Sequence, residues 1–433
     1  MGADKPEAIS ATIIEPIVER GHVASMFRSL GTRDFALFWS GNFLSNIGTW
    51  MQTIALGWVI LVMTNSPFLL GLNGFLSQIP SFLFALPGGA IADRLSRRRL
   101  MLWTQATMML LAFVLAVLTS LHRIKVVEIL IISFLAGVAS ALNYPAYQSL
   151  YPDLVKREDL VNAVALNSAQ FNMSRAIGPT LAGLTLGSLG AAACFYLNSV
   201  SFLALIIALL IIVIPPREVH KGPSFWAAMM DGMRYYHQNP LFIILLTVPA
   251  FLSLLGLPFI VLMPVYARDL IKVGASGLGY LMAGAGLGAV ASALVLAART
   301  KADERRGGTI LVSASIFSLA LILLADAHQF WWAFALLVVL GATMVGSLTL
   351  TNMTLQMSSP PMLRGRIMSL FFMAMSGLLP FGSLQAGAVA QTLGTRFALT
   401  WAGGVCLFYF LGVLILLPRI RRAAGAQGEF KRN

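Results

Sequence analysis

Runs of about twenty apolar residues recur along this chain, and they limit what it can become. Twelve are legible, at about 35–63, 68–92, 100–121, 126–150, 160–187, 192–214, 240–266, 276–298, 309–325, 330–356, 366–392 and 397–417. At about 1.5 Å of rise per residue, each helix matches a hydrocarbon core about 30 Å thick. The chain is 58% hydrophobic and 11% charged, whereas soluble domains carry about 25% charged residues. A water-soluble fold of 433 residues would lack the polar side chains to cover its surface. The expected fold class is an all-α polytopic membrane protein with twelve transmembrane helices in two pseudo-symmetric six-helix bundles.

Lysine and arginine give the expected orientation. With the N-terminus inside, 24 of the 30 basic residues fall on the inner side and five (Arg123, Lys125, Arg268, Lys272, Arg396) on the outer. Arg175 is left within a span. This asymmetry places both termini in the cytoplasm by the positive-inside rule. The net charge of +13 then belongs to a face held against anionic headgroups, and calls for no nucleic-acid partner. The expected organisation is a cytoplasmic segment (1–34), an N-terminal bundle (35–214), a cytoplasmic central loop with an amphipathic helix (215–239), a C-terminal bundle (240–417) and a basic cytoplasmic tail (418–433). No apolar h-region precedes the first long run, so a cleaved signal peptide is not expected. Cys194 and Cys406 lie in apolar runs and read as small buried hydrophobes. The five histidines lie in polar segments or at run ends, which argues against a buried metal site.

The halves repeat weakly. Gln148 matches Gln356 and Pro152 matches Pro360 at one offset, and "DRLSRRR" after the second span has a degraded counterpart in "TKADERR" after the eighth. Duplicated halves imply a transporter with its site at mid-membrane. No G-x-S-x-G, H-E-x-x-H or P-loop pattern occurs, so an enzyme is not expected, and neither are catalytic residues, a cofactor or a metal.

The loop after the second span reads Gly89-x-x-x-Asp93-Arg94-x-Ser96-Arg97-Arg98. It resembles the major facilitator superfamily signature G-x-x-x-D-R/K-x-G-R-R/K, with Ser96 where glycine is usual. Gly178, Pro179 and Gly183 resemble the superfamily's antiporter motif in shortened form. "FALFWSGNFLSNIGTWMQTIALGWVIL", "NSAQFNMSRAIGPTLAG", "FYLNSVSFLA" and "LRGRIMSLFFMAMSGLLPFGSLQAG" are similar to the branch of bacterial enterobactin exporters and macrolide-efflux proteins, over about residues 28–418. The resemblance implies an exporter in the bacterial inner membrane, working by alternating access, and the expected oligomeric state is a monomer. Its substrate would be a small amphiphilic or anionic organic molecule, siderophore-like or drug-like, and its coupling proton antiport. An uptake permease for a metabolite remains the alternative, with a non-transporting membrane sensor behind it.

The four arginines of the loop suit an orientation anchor, but an acid adds little to topology. Asp93 can meet a neighbouring helix N-terminus or pair with Arg97. By family analogy the neighbour is the start of the eleventh span. Gly89, Asp93, Arg94, Arg97, Arg98 and Arg366 are therefore the expected cytoplasmic latch. Arg175, mid-span, reads as a brace to backbone groups or as an electropositive spot for an anionic or carbonyl-rich substrate. Asn42, Asn46, Thr49 and Thr53 share one helical face. With Asn143, Tyr147, Asn172, Arg175, Asn352, Gln356 and Gln385 they make the expected cavity lining, each of them alternatively a tie between helices. Gly284 and Gly288 read as close-packing residues. Pro249, Pro258 and Pro264 read as hinges or static kinks. None of the 17 acids lies deep in a span, which leaves Asp93, Glu128 or Asp326 to carry a coupled proton, or the substrate to carry the charge.

Overall fold

The structure is a computed structural model, and it describes residues 27–84, 96–213, 240–298, 306–360 and 363–430. Among these residues there is no strand. The long helices, in chain order, are α1 (Arg33–Thr64), α2 (Pro67–Leu83), α3 (Arg97–Ser120), α4 (Val126–Leu150), α5 (Leu160–Leu189), α6 (Ala191–Ile211), the broken span α7 (Leu241–Leu270), α8 (Ala275–Ala298), α9 (Arg306–Ala325), α10 (Phe330–Ser358), the broken span α11 (Arg364–Leu393) and α12 (Thr395–Phe430). Ten are long and apolar enough to cross a membrane. The other two depart from the expected twelve for separate reasons. Helix α2 is described over only 17 residues, and α5 carries Asn162, Asn167, Gln170, Asn172 and Arg175 along its length.

The chain reverses at short connections with local chemical causes. Asn65 takes the left-handed conformation (φ 52°) and caps α1, as a short polar side chain can. Ser66 accepts from the Leu69 amide and Pro67 fills the first turn of α2, where its missing N–H costs nothing. Gly190 (φ 81°) and Gly394 (φ 88°) turn the chain after α5 and α11, conformations that a side chain would oppose. The prolines of α7 mark real breaks. A π turn at Leu252–Gly256 follows Pro249, Pro258 opens the helix Phe259–Val265, and a second π turn spans Tyr266–Leu270. Helix α11 has its own π turn at Met373–Gly377.

Helix packing repeats six helices apart. Helix α1 packs on α5 and α6, α3 on α4 and α6, and α2 on α4; likewise α7 packs on α11 and α12, α9 on α10 and α12, and α8 on α10. Two principal contacts join the groups, α5 with α8 and α2 with α11. Both rest on bare backbone. A Cβ on Gly71 would stand 2.6 Å from the Ser383 carbonyl oxygen and 2.8 Å from the Gly387 Cα, and one on Gly183 would stand 2.6 Å from the Gly279 Cα. Gly284 and Gly288 sit against Phe334 and Val338 of α10, in keeping with the close-packing reading.

Because successive helices reverse, the Gly71 and Gly183 contacts lie toward the end that carries the loops at 65–66, 190, 271–274 and 394, and α2 meets α11 again deeper in, where Phe82 stands against Gly377 and Phe381. Toward the other, arginine-rich end, Pro240–Phe251 packs on α9, α10, α11 and α12, and Arg364–Phe372 packs on α7 and α10, all within their own group. Replacing Gly183 with Leu puts a side chain where the α8 backbone already stands. Such overpacking costs about 1–3 kcal/mol, so Gly183→Leu is expected to lower the thermal unfolding temperature in detergent, followed by tryptophan fluorescence.

Candidate functional site

Helix α5 delivers the central charge. Arg175 stands 15 residues from the start of α5 and 14 from its end, about 21–22 Å along the axis from either. The neighbouring residue fixes its place: Gly286 of α8 lies against the Ala176 backbone, so α5 is held at the junction of the two groups. The Arg175 side chain is half-buried. One Nη donates to the Met344 Sδ on α10 at 3.3 Å, and the guanidinium carbon lies 6.0 Å from the ring centre of Trp50 on α1. Phe171 meets Trp50 edge-on at 6.4 Å. Among the described residues Arg175 has no carboxylate within ion-pair distance and donates to no backbone carbonyl. A thioether is a weak acceptor for a guanidinium with five N–H groups.

The antiporter-like residues build the wall beside it. A Cβ on Gly178 would stand 2.5 Å from the Trp50 Cβ and 2.9 Å from the Ile47 carbonyl oxygen. That closeness holds α1 on α5 and sets the distance between Trp50 and Arg175. Gly183 makes the crossing with α8, and Pro179 lies buried with its carbonyl beside Gly279.

The remaining predicted lining separates into groups. Asn42 donates to the Tyr147 hydroxyl at 3.1 Å, and that hydroxyl donates to Asn167. The chain ties α1, α4 and α5, with Phe38 stacked on Tyr147. Thr49 and Thr53 are exposed and return their hydroxyls to the carbonyls one turn back, and half-buried Asn172 does the same with its amide. Asn352 accepts from Gln356 within α10. Asn46 and Gln385 are half-buried. Asn143 accepts from Thr104 at 2.9 Å and so joins α3 to α4. Gln170 is 1% exposed and neither of its amide atoms has a partner.

Of the expected latch, Gly89, Asp93 and Arg94 lie outside the described residues, as does the amphipathic stretch of 215–239. Arg97 pairs with Asp153 at 2.6 Å and donates to the Ser149 carbonyl, joining α3 to the end of α4. Arg98 donates to the Leu210 carbonyl on α6. Arg366 is half-buried in the first turn of α11, which holds no acid, so its charge adds to the positive end of the helix dipole.

The sequence reading missed the opposite end. Arg268 on α7 donates to the Asn65 Oδ1 at 2.6 Å and to the Leu61 carbonyl at 3.4 Å, while Gln391 on α11 accepts from Ser66 at 2.7 Å and from the Phe68 amide at 3.4 Å. It also missed Trp50, Phe171 and Met344. Asn65 alone carried a signal, as a polar residue between two spans.

A helical bundle with duplicated packing, polar faces at mid-span and an arginine that has no ion-pair partner among the described residues suits a membrane transporter of the major facilitator kind. The chain belongs to the transmembrane secretion effector family of that superfamily, whose model matches residues 24–430. It is 26% identical over 385 residues to a staphyloferrin A transporter of Staphylococcus aureus, covering 86% of this chain and 95% of the relative. It is 23% identical to the multidrug efflux pump Tap of Mycolicibacterium fortuitum (86% and 93% covered), and 25% identical to the enterobactin exporter EntS of Shigella flexneri (88% and 91%). Among solved structures, a bacterial homologue of the human lysosomal transporter Spinster matches with a TM-score of 0.71 at 16% identity, covering 90% of this chain and 98% of that one. The nucleoside transporter NupG matches at 0.68 and 12% identity, covering 88% and 99%.

Removing the Tyr147 hydroxyl leaves the amides of Asn42 and Asn167 facing each other across three helices. Tyr147→Phe keeps the ring and is expected to destabilise the protein by about 1–3 kcal/mol, the cost of leaving such groups unpaired, read as a lowered unfolding temperature.

Proposed function

We propose that this protein is a secondary active exporter of a small amphiphilic or anionic organic molecule, siderophore-like or drug-like. It acts as a monomer in the bacterial inner membrane, with both termini and the basic face in the cytoplasm. Two six-helix bundles, formed by twelve transmembrane helices over 35–214 and 240–417, alternate around the site. The observation that carries this reading is Arg175, a half-buried mid-span guanidinium beside Trp50 and Met344 with no carboxylate next to it among the described residues. A mid-membrane charge costs at least about 2.5–3.5 kcal/mol, and a substrate-binding role accounts for its presence. Three of the similar proteins are by name a staphyloferrin A transporter, an enterobactin exporter and a multidrug efflux pump, which favours export over uptake.

The pattern of contacts supports a cytoplasm-facing state. Gly71, Gly183, Arg268 and Gln391 join the groups toward the outer end, Phe82 meets Gly377 and Phe381 deeper in, and among the described residues Pro240–Phe251 and Arg364–Phe372 pack within their own group. The cytoplasmic latch then belongs to the opposite state. Asp93, carried on the Gly89 to Arg98 loop, meets the first turn of α11 near Arg366 when the outer end opens. Asn46, Thr49, Thr53, Asn172, Asn352, Gln356 and Gln385 line the path, and the Asn42–Tyr147 tie forms its N-terminal wall.

Proton antiport is the coupling that family membership favours. Glu128 is engaged by the Lys125 amide at 3.0 Å and Asp326 by Arg396, which leaves Asp93 as the peripheral acid for that role. Two measurements test the reading. A strain overexpressing the protein should tolerate toxic amphiphiles and siderophore-like chelators better than a deletion strain, with lower cellular accumulation; equal accumulation would sink the exporter. Asp93→Asn should cut efflux at least about tenfold while leaving membrane abundance unchanged, since the latch and the protonatable group are lost together.

A further inference from the structure

We infer that the inner half of α5, where its seam with α8 lies open, is a groove for the acyl chain of an anionic amphiphile drawn from the inner leaflet. This rests on the exporter reading and narrows its substrate class to an acid that carries one long alkyl chain.

The two seams between the groups are related by the internal repeat. Gly71 of α2 meets Gly387 of α11, and Gly279 of α8 meets Gly183 of α5. Gly279 follows Gly71 by the same spacing that relates Gln356 to Gln148. Inward of these crossings the seams differ. About one and three turns further along, α2 carries Phe75 and Phe82. Their rings meet Phe381 of α11 edge-on at 5.8 and 6.0 Å, and Phe82 stands against Gly377. At the corresponding positions α8 carries Ala283 and Val290. Phenylalanine plugs one seam, and smaller side chains stand in the other.

Exposure along α5 records the result. Gly183, Pro179 and Ala176 share one helical face and are buried, Gly183 against Gly279 and Ala176 against Gly286. The same face continues inward through Asn172, which is half-buried, to Ala169 and Ala165, which are exposed. Val161, in the first turn, is 81% exposed, and Val290 across the seam is half-buried. The seam is therefore closed down to Ala176 and open from there to the cytoplasmic end. Met173, one turn from Ala169, is exposed as well, so the groove reaches the lipid-exposed surface of α5. On its other flank Ser168 and Asn172 lead up to Arg175, with the Asn172 amide returned to the Ser168 carbonyl.

Size and charge select the occupant. Val161 to Arg175 spans about 21 Å along the helix axis, room for an acyl chain that fills one leaflet, about 15 Å or half the hydrocarbon core. Alanine side chains let a chain lie close to the backbone, and an alkyl chain covers the exposed apolar surface. A neutral lipid tail would cover it equally. Only an acid also supplies paired oxygens to the guanidinium, which here meets a sulfur and a ring. With its head at Arg175 and its chain running inward, the amphiphile already has the orientation of an outer-leaflet lipid. Binding thus accomplishes the inversion that export across a bilayer requires.

The test uses the full-length protein in phosphatidylcholine nanodiscs and a myristic acid with a photoactivatable diazirine at mid-chain. Illumination should label α5 between Val161 and Asn172 and α8 around Val290, read by mass spectrometry of the peptides. Excess myristate should abolish the labelling, whereas myristyl alcohol, the same chain without the charge, should not. Arg175→Gln should lower it at least about tenfold, since the charge-assisted pair is lost. Val290→Phe gives this seam the phenylalanine of its counterpart and should lower labelling at least about tenfold by filling the groove. Ala169→Leu fills the groove from the α5 side and should act alike, and a single symmetric peak on size exclusion shows that each variant is folded.

Labelling that is equal in wild type and the folded groove-filling variants would overturn the proposal, as would wild-type protein whose α5 is not labelled. Equal competition by myristate and myristyl alcohol would overturn it too, and would mark the groove as a seat for any lipid tail. In each of these cases the efflux comparison in cells, made with amphiphiles that lack a long chain, still stands or falls alone. Failure of the acyl groove is therefore separable from failure of the exporter reading.

Discussion

The tightest contact between the two groups of helices is made at glycines. At α2 with α11 and α5 with α8, glycines bring backbone against backbone. In a bilayer the lipid tails are as apolar as leucine, so helices gain little from hiding apolar surface from each other. Close approach, with dense van der Waals contact, supplies the attraction instead. Everything else in the molecule is placed relative to these two seams. Ala176 lies against Gly286 along one of them, and that contact sets the next residue, Arg175, between α1 and α10. The cation is central because the backbone beside it cannot move away.

Polar groups elsewhere in the spans are settled locally. Hydroxyls at Thr49, Thr53, Thr180, Ser315 and Thr351 bond the carbonyl one turn back, which satisfies the donor without a second helix. Amides reach across instead. Asn198 donates to Gln52 at 2.7 Å, tying α6 to α1, and the Asn42–Tyr147–Asn167 chain ties three helices. Buried networks of this kind hold a bundle together when every member is satisfied. Among the described residues, Arg175, whose guanidinium meets a sulfur and a ring, and Gln170, whose buried amide meets nothing, stand apart from this economy, as do Gln105 Oε1 and Ser253 Oγ, buried without a partner.

The fold was legible because its cause is one-dimensional. Apolar runs matched to bilayer thickness leave little freedom, and the helix boundaries differ from the sequence reading by a few residues at most ends. The clearest departure is α5, where the run was recognised although its amides and Arg175 make it too polar to pass as a span on hydropathy alone. The site was legible in kind but not in membership. Counting charges singled out Arg175, because an arginine within an apolar run is visible in one dimension. Trp50, Phe171 and Met344 were not, because aromatic and thioether residues are at home in any span and only the crossing of helices gives them a role. Asn143 faced the other way for the same reason: the sequence shows that its helix has a polar residue there, but not that Thr104 of α3 stands opposite.

The π turns of α7 and α11 have a geometric effect that reaches past their own five residues. An α-helix advances about 100° per residue, and a π turn admits one extra residue into its coil. The helix beyond it is therefore rotated by about that angle relative to the helix before it. In α11, Ile367, Leu370 and Phe371 precede the turn and are buried within their own group, whereas Gly382, Ser383 and Gly387 follow it, with Ser383 and Gly387 presented to α2. One continuous span thus carries two differently aimed contact faces. Each can be fitted to its own neighbour, and a residue substituted on one side of Met373–Gly377 does not share a face with its counterpart four or seven places along on the other.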